Sequence, residues 1–314
     1  KEELLSSGHR ACQGCGLAIN IRLALKVLGK DTICFTPASC WSGVGSSYPD
    51  AAWEVPWMQT LFENVSPVAG GVEAAHRILE EKGKRAVRKV NCVCFSGDGA
   101  TADIGLGSLS GTLERGHNII YVCLDNEAYM NTGIQRSSST PHGASTTTTP
   151  VGSVIQGQQT YKKDVPAIVA DHNIPYVATA CVSYPFDYMA KIRKAAEVDG
   201  PAYIHVYSVC PTGWRSAPDL SVEIGKLAVE TGVFPLWELE NGPNGGDEVN
   251  VIAPGENYGW PIVTHGREYD GSQQRPWQEG TRQPELFWVP SITAASMLFY
   301  TGDRFPAWRG NLFV

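Results

Sequence analysis

The 314-residue sequence predicts an α/β fold, a doubly wound and mostly parallel sheet followed by a short β-rich C-terminal segment, on three observations. First, apolar, β-branched runs recur at DTICFTP from Asp31, VNCVCFSGDG from Val90, NIIYVCLDN from Asn118, PYVATACV from Pro175 and AYIHVYSVC from Ala202. Near-continuous apolar strands are expected where both faces of a parallel sheet are covered. Second, helix-like segments fall between them at Leu17–Leu28, Val72–Lys82, Ile104–Glu114, Asp187–Glu197 and Val222–Thr231, and strand–helix alternation is the signature of a doubly wound layer. Third, the character changes near Gly242. Cysteine vanishes, turn signals such as GPNGG multiply, and five of the nine tryptophans lie between Trp237 and Trp308. Residues 1–241 are therefore read as one unit and 242–314 as a second, β-rich piece.

Composition narrows the function classes. With 43% apolar and 18% charged residues the chain buries a large core. A net charge of −7 without clustered Lys and Arg argues against nucleic acid as a partner. The N-terminal stretch KEELLSSGHR has no apolar core of a secretory signal, and no run of about 18 apolar residues exists to span a bilayer. A cytoplasmic protein with no membrane partner is expected. Nine cysteines, all at or before position 210, fit a reducing compartment with a metal or cluster site better than a disulfide framework.

Sheets of this kind bind ligands at the carboxyl ends of their strands. Gly97–Asp98–Gly99 ends one run and Asp125–Asn126 the next. Magnesium takes hard oxygen ligands and is commonly shared between one or two protein groups and phosphates. Asp98 offers a carboxylate, Asn126 an amide oxygen and Ala128 a backbone carbonyl, while Gly97 and Gly99 leave room for a diphosphate beside the backbone. A helix from Ala102 onward would aim its N-terminal amides at the same anion. A lone GDG is an ordinary strand-to-helix turn more often than a site. Here the 26 residues between Gly99 and Asn126, and the strand before each, match the GDG-to-N spacing of thiamine-diphosphate sites, which this stretch resembles. The stretch from Ser137 to Pro150 comes directly after it, and is read as an active-site loop rather than a linker.

Cys12 and Cys15 form CQGC, a spacing shared by redox disulfides, half-zinc sites and iron–sulfur loops. Cys40 and Cys210 also sit just beyond strands, so that four thiols from strand ends would suit a [4Fe–4S] cluster, with zinc as the competitor. Cys34, Cys92, Cys94, Cys123 and Cys181 lie within apolar strands and read as small buried hydrophobes.

With these motifs in place, residues 8–241 resemble the β subunit of the pyruvate:ferredoxin oxidoreductase family. The likeness rests on GHRACQGCG, TPASCWSG, the GDG-to-NEAYMNTG stretch, QRSSSTPHGASTTTTPVG, SVCPTGW and LAVETGVFPLWELENG, in that order. It implies a thiamine-diphosphate-binding fold, cluster ligation by Cys12, Cys15, Cys40 and Cys210, and Mg²⁺–thiamine diphosphate held by Asp98, Asn126 and Ala128, with Asn131 facing the substrate. It further implies oxidative decarboxylation of a 2-oxoacid, pyruvate or oxalate, with electrons passed singly to the cluster and then to ferredoxin. Coenzyme A would accept the acyl group in pyruvate-type members, and oxalate would need none. The carboxylate that activates the cofactor would come from an α-type subunit, so this chain would work only with α-, γ- and δ-type partners. A cluster-free thiamine-dependent decarboxylase and a metal-stabilised non-catalytic subunit remain the alternatives. The histidines are scattered and read as surface or core residues, His142 in the Thr-rich loop being the one to test as a proton donor.

From residue 242 the chain instead resembles a fragment of a quinoprotein sugar dehydrogenase β-propeller, in which Glu248 and Tyr258 match calcium-binding positions by spacing. A propeller closes by radial repetition, so a fragment of about 70 residues would lack the central channel that activity needs.

Overall fold

The computed structural model describes residues 2–46, 51–240, 247–251, 263, 265, 275–288, 298–299 and 312–313. Its centre is a sheet ordered β2-β1-β3-β4-β6-β5-β7-β8-β9. The parallel part comprises β1 (Thr32–Thr36), β2 (Trp57–Gln59), β3 (Asn91–Gly97), β4 (Ile120–Asp125), β5 (Tyr176–Cys181) and β6 (Ala202–Tyr207). From β1 the chain steps one way to β2 and the other way to β3. This reversal opens a crevice beyond the ends of β1 and β3, the usual ligand position in such sheets.

Alternation along the strands feeds two cores. On one face Val93, Phe95, Val122 and Ile204 meet Ile21 and Leu25 of α1 (Gly16–Leu28) and Tyr188 and Ile192 of α6 (Pro185–Glu197). On the other, Cys92, Cys94, Tyr121 and Tyr203 meet Val65 and Ala69 of α3 (Val65–Glu81), Leu109 and Leu113 of α4 (Leu106–Glu114), and Val165 and Val169 of α5 (Val165–Ala170). Each fully buried Leu or Ile contributes roughly 2 kcal/mol. Cys34, Cys92, Cys94, Cys123 and Cys181 are all buried in these layers, as expected of small hydrophobes.

Helix bounds differ from the sequence reading where breakers mislead. α3 starts at Val65 rather than Val72, because Pro67 occupies the first turn, where a missing N–H costs nothing. Gly70 serves packing: a Cβ there would lie 2.8 Å from the His117 ring. The helix expected from Ala102 begins instead as a π-helical turn, Ala100–Ile104, closed by Gly105 N donating to Ala100 O at 2.8 Å, before α4. Two short helices start at cysteines: α2 (Cys40–Val44) opens on Cys40, and α7 (Pro211–Trp214) is capped by the Cys210 sulfur, which accepts from Gly213 N at 3.3 Å. α8 (Ser221–Glu230) leads into β7 (Trp237–Glu240).

β7 pairs antiparallel with β5, and β8 (Asp247–Val251) and β9 (Leu286–Trp288) extend the sheet antiparallel beyond it. The sheet thus continues past residue 241 rather than ending there. Tyr258 and the side chain of Glu248, the calcium positions of the quinoprotein resemblance, lie outside the described residues. Among the described residues no helix is long and apolar enough to cross a membrane.

Candidate active site

Three strand ends converge on one cavity of about 300 Å³ in the crevice. Its wall includes Ser39 and Cys40 after β1, Asp98 after β3, and Asn126, Met130 and Asn131 after β4. Gly97, Gly99 and Ala128 line it too.

Asp98 is 1% exposed and accepts from Ser137 Oγ at 2.5 Å. Burial, and then Asp125 nearby, push its carboxyl well above the usual range, as befits an acid buried without a full counter-charge. One end of the Asn126 amide lies 3.1 Å from Asp98 Oδ1 and 2.9 Å from Ala128 O. With nitrogen at that end the amide donates to both. With oxygen there, three acceptors face one another, an arrangement that needs a cation between them. Gly97 meets open space, whereas Gly99 makes room for a ring: a Cβ would stand 2.2 Å from Tyr129, whose hydroxyl donates to Asp103 at 2.7 Å.

The turn carrying Asn126 is braced on every side. Glu127 adopts φ +70°, unfavourable for a side chain with a Cβ. Its N–H donates to Asp125 Oδ1 at 2.9 Å, and its carbonyl accepts from Thr140 at 2.6 Å. Trp214 Nε1 donates to Asn126 O at 3.0 Å. Lys162 Nζ bridges Asp125 Oδ2 at 2.6 Å and Glu127 Oε1 at 3.2 Å, and His205 Nε2 reaches Asp125 Oδ2 at 2.8 Å. Burial would raise the Asp125 carboxyl, but Lys162 and His205 hold it below the usual range. Burial pushes Glu127 the other way, up to about 7. Sequence reasoning missed this cluster. Its one visible signal was the Asp and Glu on either side of Asn126, since Lys162 is 36 positions away along the chain.

The Thr-rich loop packs on this corner. Besides the Ser137 and Thr140 bonds, Ser138 N donates to Asp103 at 3.1 Å. A second cavity of about 580 Å³ lies on the other side of Ala128 and Met130, walled by Thr146, Thr147, Trp214 and Arg215. His142 lines neither cavity. It is exposed and stacks on Tyr161 at 5.0 Å. His205, passed over as a core residue, is the histidine the structure ties to the site.

The four thiols are neighbours drawn from three places. Cys15 N donates to Cys12 O at 3.2 Å, and Gly16 N to Val209 O at 3.1 Å, which fastens the CQGC loop beside Cys210. Gly14 needs its φ of +70° and its bare Cα, since a Cβ would meet Pro218 O at 2.3 Å. Burial pushes the Cys40 thiol up to about 12, and Cys210, Cys15, Cys12 and Asp98 each add to it, which places all four sulfurs and the carboxylate in one electrostatic neighbourhood. Cys12 is exposed and the other three half-buried. Among the described residues no three His, Cys, Asp or Glu side chains form a group that would hold a single metal ion.

A parallel α/β sheet with an acidic strand-end turn, a braced Asn turn and a thiol cluster at its switch point defines a cofactor-binding domain. The family model described as Thiamine pyrophosphate enzyme, C-terminal TPP binding domain matches residues 42–206, which take in Asp98, Asn126 and Ala128. Pyruvate synthase subunit PorB of Methanothermobacter marburgensis is 56% identical over 242 residues, covering 77% of this chain and 82% of that protein. PorB of Pyrococcus furiosus is 50% identical over 250 residues, covering 76% and 73%. Ketoisovalerate oxidoreductase subunit VorB of the same organism is 48% identical over 243 residues, covering 77% of each. The chain belongs to the family of 2-oxoacid:ferredoxin oxidoreductase β subunits. A solved 2-oxoglutarate:ferredoxin oxidoreductase from Magnetococcus marinus shares the fold, with a TM-score of 0.55 at 23% identity over 71% of this chain and 79% of that one. A second family model, Glucose / Sorbosone dehydrogenase, matches residues 225–314, starting inside α8 rather than at 242.

Proposed function

We propose that the chain is the cofactor-carrying β subunit of a complex that oxidatively decarboxylates a small 2-oxoacid and delivers electrons to ferredoxin. The observation that carries this reading is that Cys40 and the Asp98–Asn126–Ala128 oxygens line the same cavity. Asp98, Asn126 and Ala128 would hold Mg²⁺ and through it the diphosphate; one end of the Asn126 amide lies within 3.1 Å of both Asp98 Oδ1 and Ala128 O, and with the amide oxygen turned to that end the three would form the all-oxygen set a hard cation takes. Cys12, Cys15, Cys40 and Cys210 would hold a [4Fe–4S] cluster. Four thiols drawn from three loops beside the cavity suit such a cluster, with tetrahedral zinc as the competitor that metal analysis would separate.

When bound, thiamine diphosphate supplies the electron sink that lets a 2-oxoacid lose carbon dioxide. This chain's residues would anchor the diphosphate; Leu17, Phe62 and Met130 line the same cavity and would keep part of it apolar, and Asn131, also on its lining, would face the substrate. Each turnover releases two electrons, which a one-electron cluster beside the cavity would pass on singly to two ferredoxins. The names of the relatives favour pyruvate or 2-oxoisovalerate over oxalate, and coenzyme A would then be the acyl acceptor. Activity requires the other subunits of the complex, and the cytoplasm is the expected place. Residues 1–241 would form the working unit and 242–314 an appended segment, since the relatives align over some 242 residues of the chain. The test is anaerobic purification of the complex, analysis of iron, sulfide, zinc and thiamine diphosphate, and assays with pyruvate, 2-oxoisovalerate and oxalate, each with and without coenzyme A. About four irons and one thiamine diphosphate per chain are expected. Zinc without thiamine diphosphate would instead identify a metal-stabilised, non-catalytic subunit.

A further inference from the structure

We infer that Lys162 is a positioning residue for the divalent cation, acting through the strained turn that carries Asn126 and Ala128. The inference rests on the cofactor reading above and deepens it.

Asn126 and Ala128 can face Asp98 only while Glu127 between them holds its left-handed backbone. A residue with a Cβ adopts that conformation at a cost and relaxes unless neighbours over-determine it. Three of the bonds that do so are fixed by nearby packing: Asp125 Oδ1 to the Glu127 amide, Thr140 to the Glu127 carbonyl, and Trp214 to the Asn126 carbonyl. The remaining restraint is electrostatic. Asp125, which is buried, and Glu127, whose side chain keeps 13% exposure, put two carboxylates on either side of Asn126, where they repel each other. Lys162 Nζ stands between them, 2.6 Å from one and 3.2 Å from the other, and so clamps the two ends of the turn together. Its ammonium lies 5.8 Å from the Tyr207 ring centroid and 5.7 Å from that of Phe234, a partly desolvated setting that strengthens both ion pairs. His205 reaches Asp125 but not Glu127, so it does not perform the bridging. Lys162 also ends the segment that leaves the Thr-rich loop, while Ser137 at the start of that loop bonds Asp98. Both sides of the cation site therefore hang on one stretch of chain.

The test uses the complete complex. Thiamine diphosphate binding is followed calorimetrically against Mg²⁺ concentration for wild type, Lys162→Met and Lys162→Arg, alongside melting temperatures without Mg²⁺. Lys162→Met is expected to raise the Mg²⁺ needed for half-saturation about tenfold, the usual effect of losing a group that orients metal ligands. The metal-free melting temperature should fall by several degrees as well, because the change leaves Asp125 and Glu127 without their shared cation, so the Mg²⁺ dependence is the deciding readout, and Lys162→Arg should recover most of both losses. Unchanged Mg²⁺ dependence in Lys162→Met overturns the inference, and so does a loss of melting temperature with normal Mg²⁺ dependence. Should Lys162→Met fail to assemble, Glu127→Gln removes only the longer arm of the clamp; a smaller shift in the same direction supports the inference and none overturns it. Asp98→Asn separates the two levels. If it abolishes Mg²⁺-dependent binding while Lys162→Met does nothing, only the role of Lys162 falls. If Asp98→Asn too leaves binding unchanged, the cation site falls and this inference with it.

Discussion

The two halves of the crevice are built differently. On the diphosphate side each group stands directly on a strand end: Asp98 follows β3 and Asn126 follows β4, and the turn between Asp125 and Ala128 is pinned by bonds from Thr140, Lys162, His205 and Trp214. On the thiol side Cys12 and Cys15 lie in a loop before α1, Cys40 opens a five-residue helix, and Cys210 caps a four-residue one. Cys12 is exposed, and among the described residues few bonds other than the Gly16–Val209 link tie the loops together. The sheet preforms the first site. The second, on the proposed reading, would rely on its cluster to hold the loops, as metal sites that couple to folding generally do.

That contrast is broken or sharpened most strongly by removing one ligand from each side. Asp98→Asn should weaken thiamine diphosphate binding by on the order of 100-fold or more, because Asp98 is the carboxylate among the three groups proposed to hold the cation, while the iron content stays at its wild-type value. Cys40→Ser should lose most of the iron, about four atoms per chain, and should leave its loop more open to protease, with thiamine diphosphate still bound. Metal analysis, calorimetric titration and limited proteolysis read these outcomes. Loss of both cofactors in either variant would show that the two sides fold as one unit.

The same contrast governed how much the sequence disclosed. Strands announced themselves as apolar runs, and the GDG-to-Asn spacing pointed to the crevice where Asp98 and Asn126 meet, because sheet geometry places the residues after each strand there. The four cysteines were legible as residue types lying just outside strands. The brace was not: Lys162 sits in an unremarkable polar stretch, GQQTYKKD, and His205 in an apolar run. Their roles depend on β4 and β6 being neighbours, which places His205 against Cys123 in register and its ring beside Asp125. The start of α3 was missed because Pro67 and the Gly70–Gly71 pair look like breakers until their position in the first turns is known.

A change at the far edge of the sheet should touch neither site, which makes it a control on the comparison. Glu238 on β7 is 4% exposed, accepts from Tyr176 at 2.8 Å and pairs with Lys194 at 2.9 Å. Breaking a buried pair of this kind costs about 3 kcal/mol. Glu238→Gln is therefore expected to lower the melting temperature by several degrees while both cofactor affinities stay unchanged. A shift in thiamine diphosphate affinity would mean that strain at the β5–β7 seam reaches the crevice, and the diphosphate side would then be less self-contained than its local bonds suggest.

The brace itself should show in a pH dependence of stability. Burial disfavours a charged His205, but Cys123 and Asp125 beside it outweigh that and push its pKa from 6.5 up to about 10. A proton held more tightly in the folded chain than in the unfolded one stabilises the fold fully below pH 6.5, and that contribution fades as pH rises through about 10. Wild type should therefore lose melting temperature steadily between those limits. In His205→Gln, which still donates a hydrogen bond but cannot titrate, the decline should be shallower, with a lower starting value at pH 6.5. If the two profiles run parallel, His205 is neutral in the folded protein. Lys162 would then be left as the cation holding Asp125 in its ionised form, which would make the brace of the diphosphate side depend on one residue rather than two.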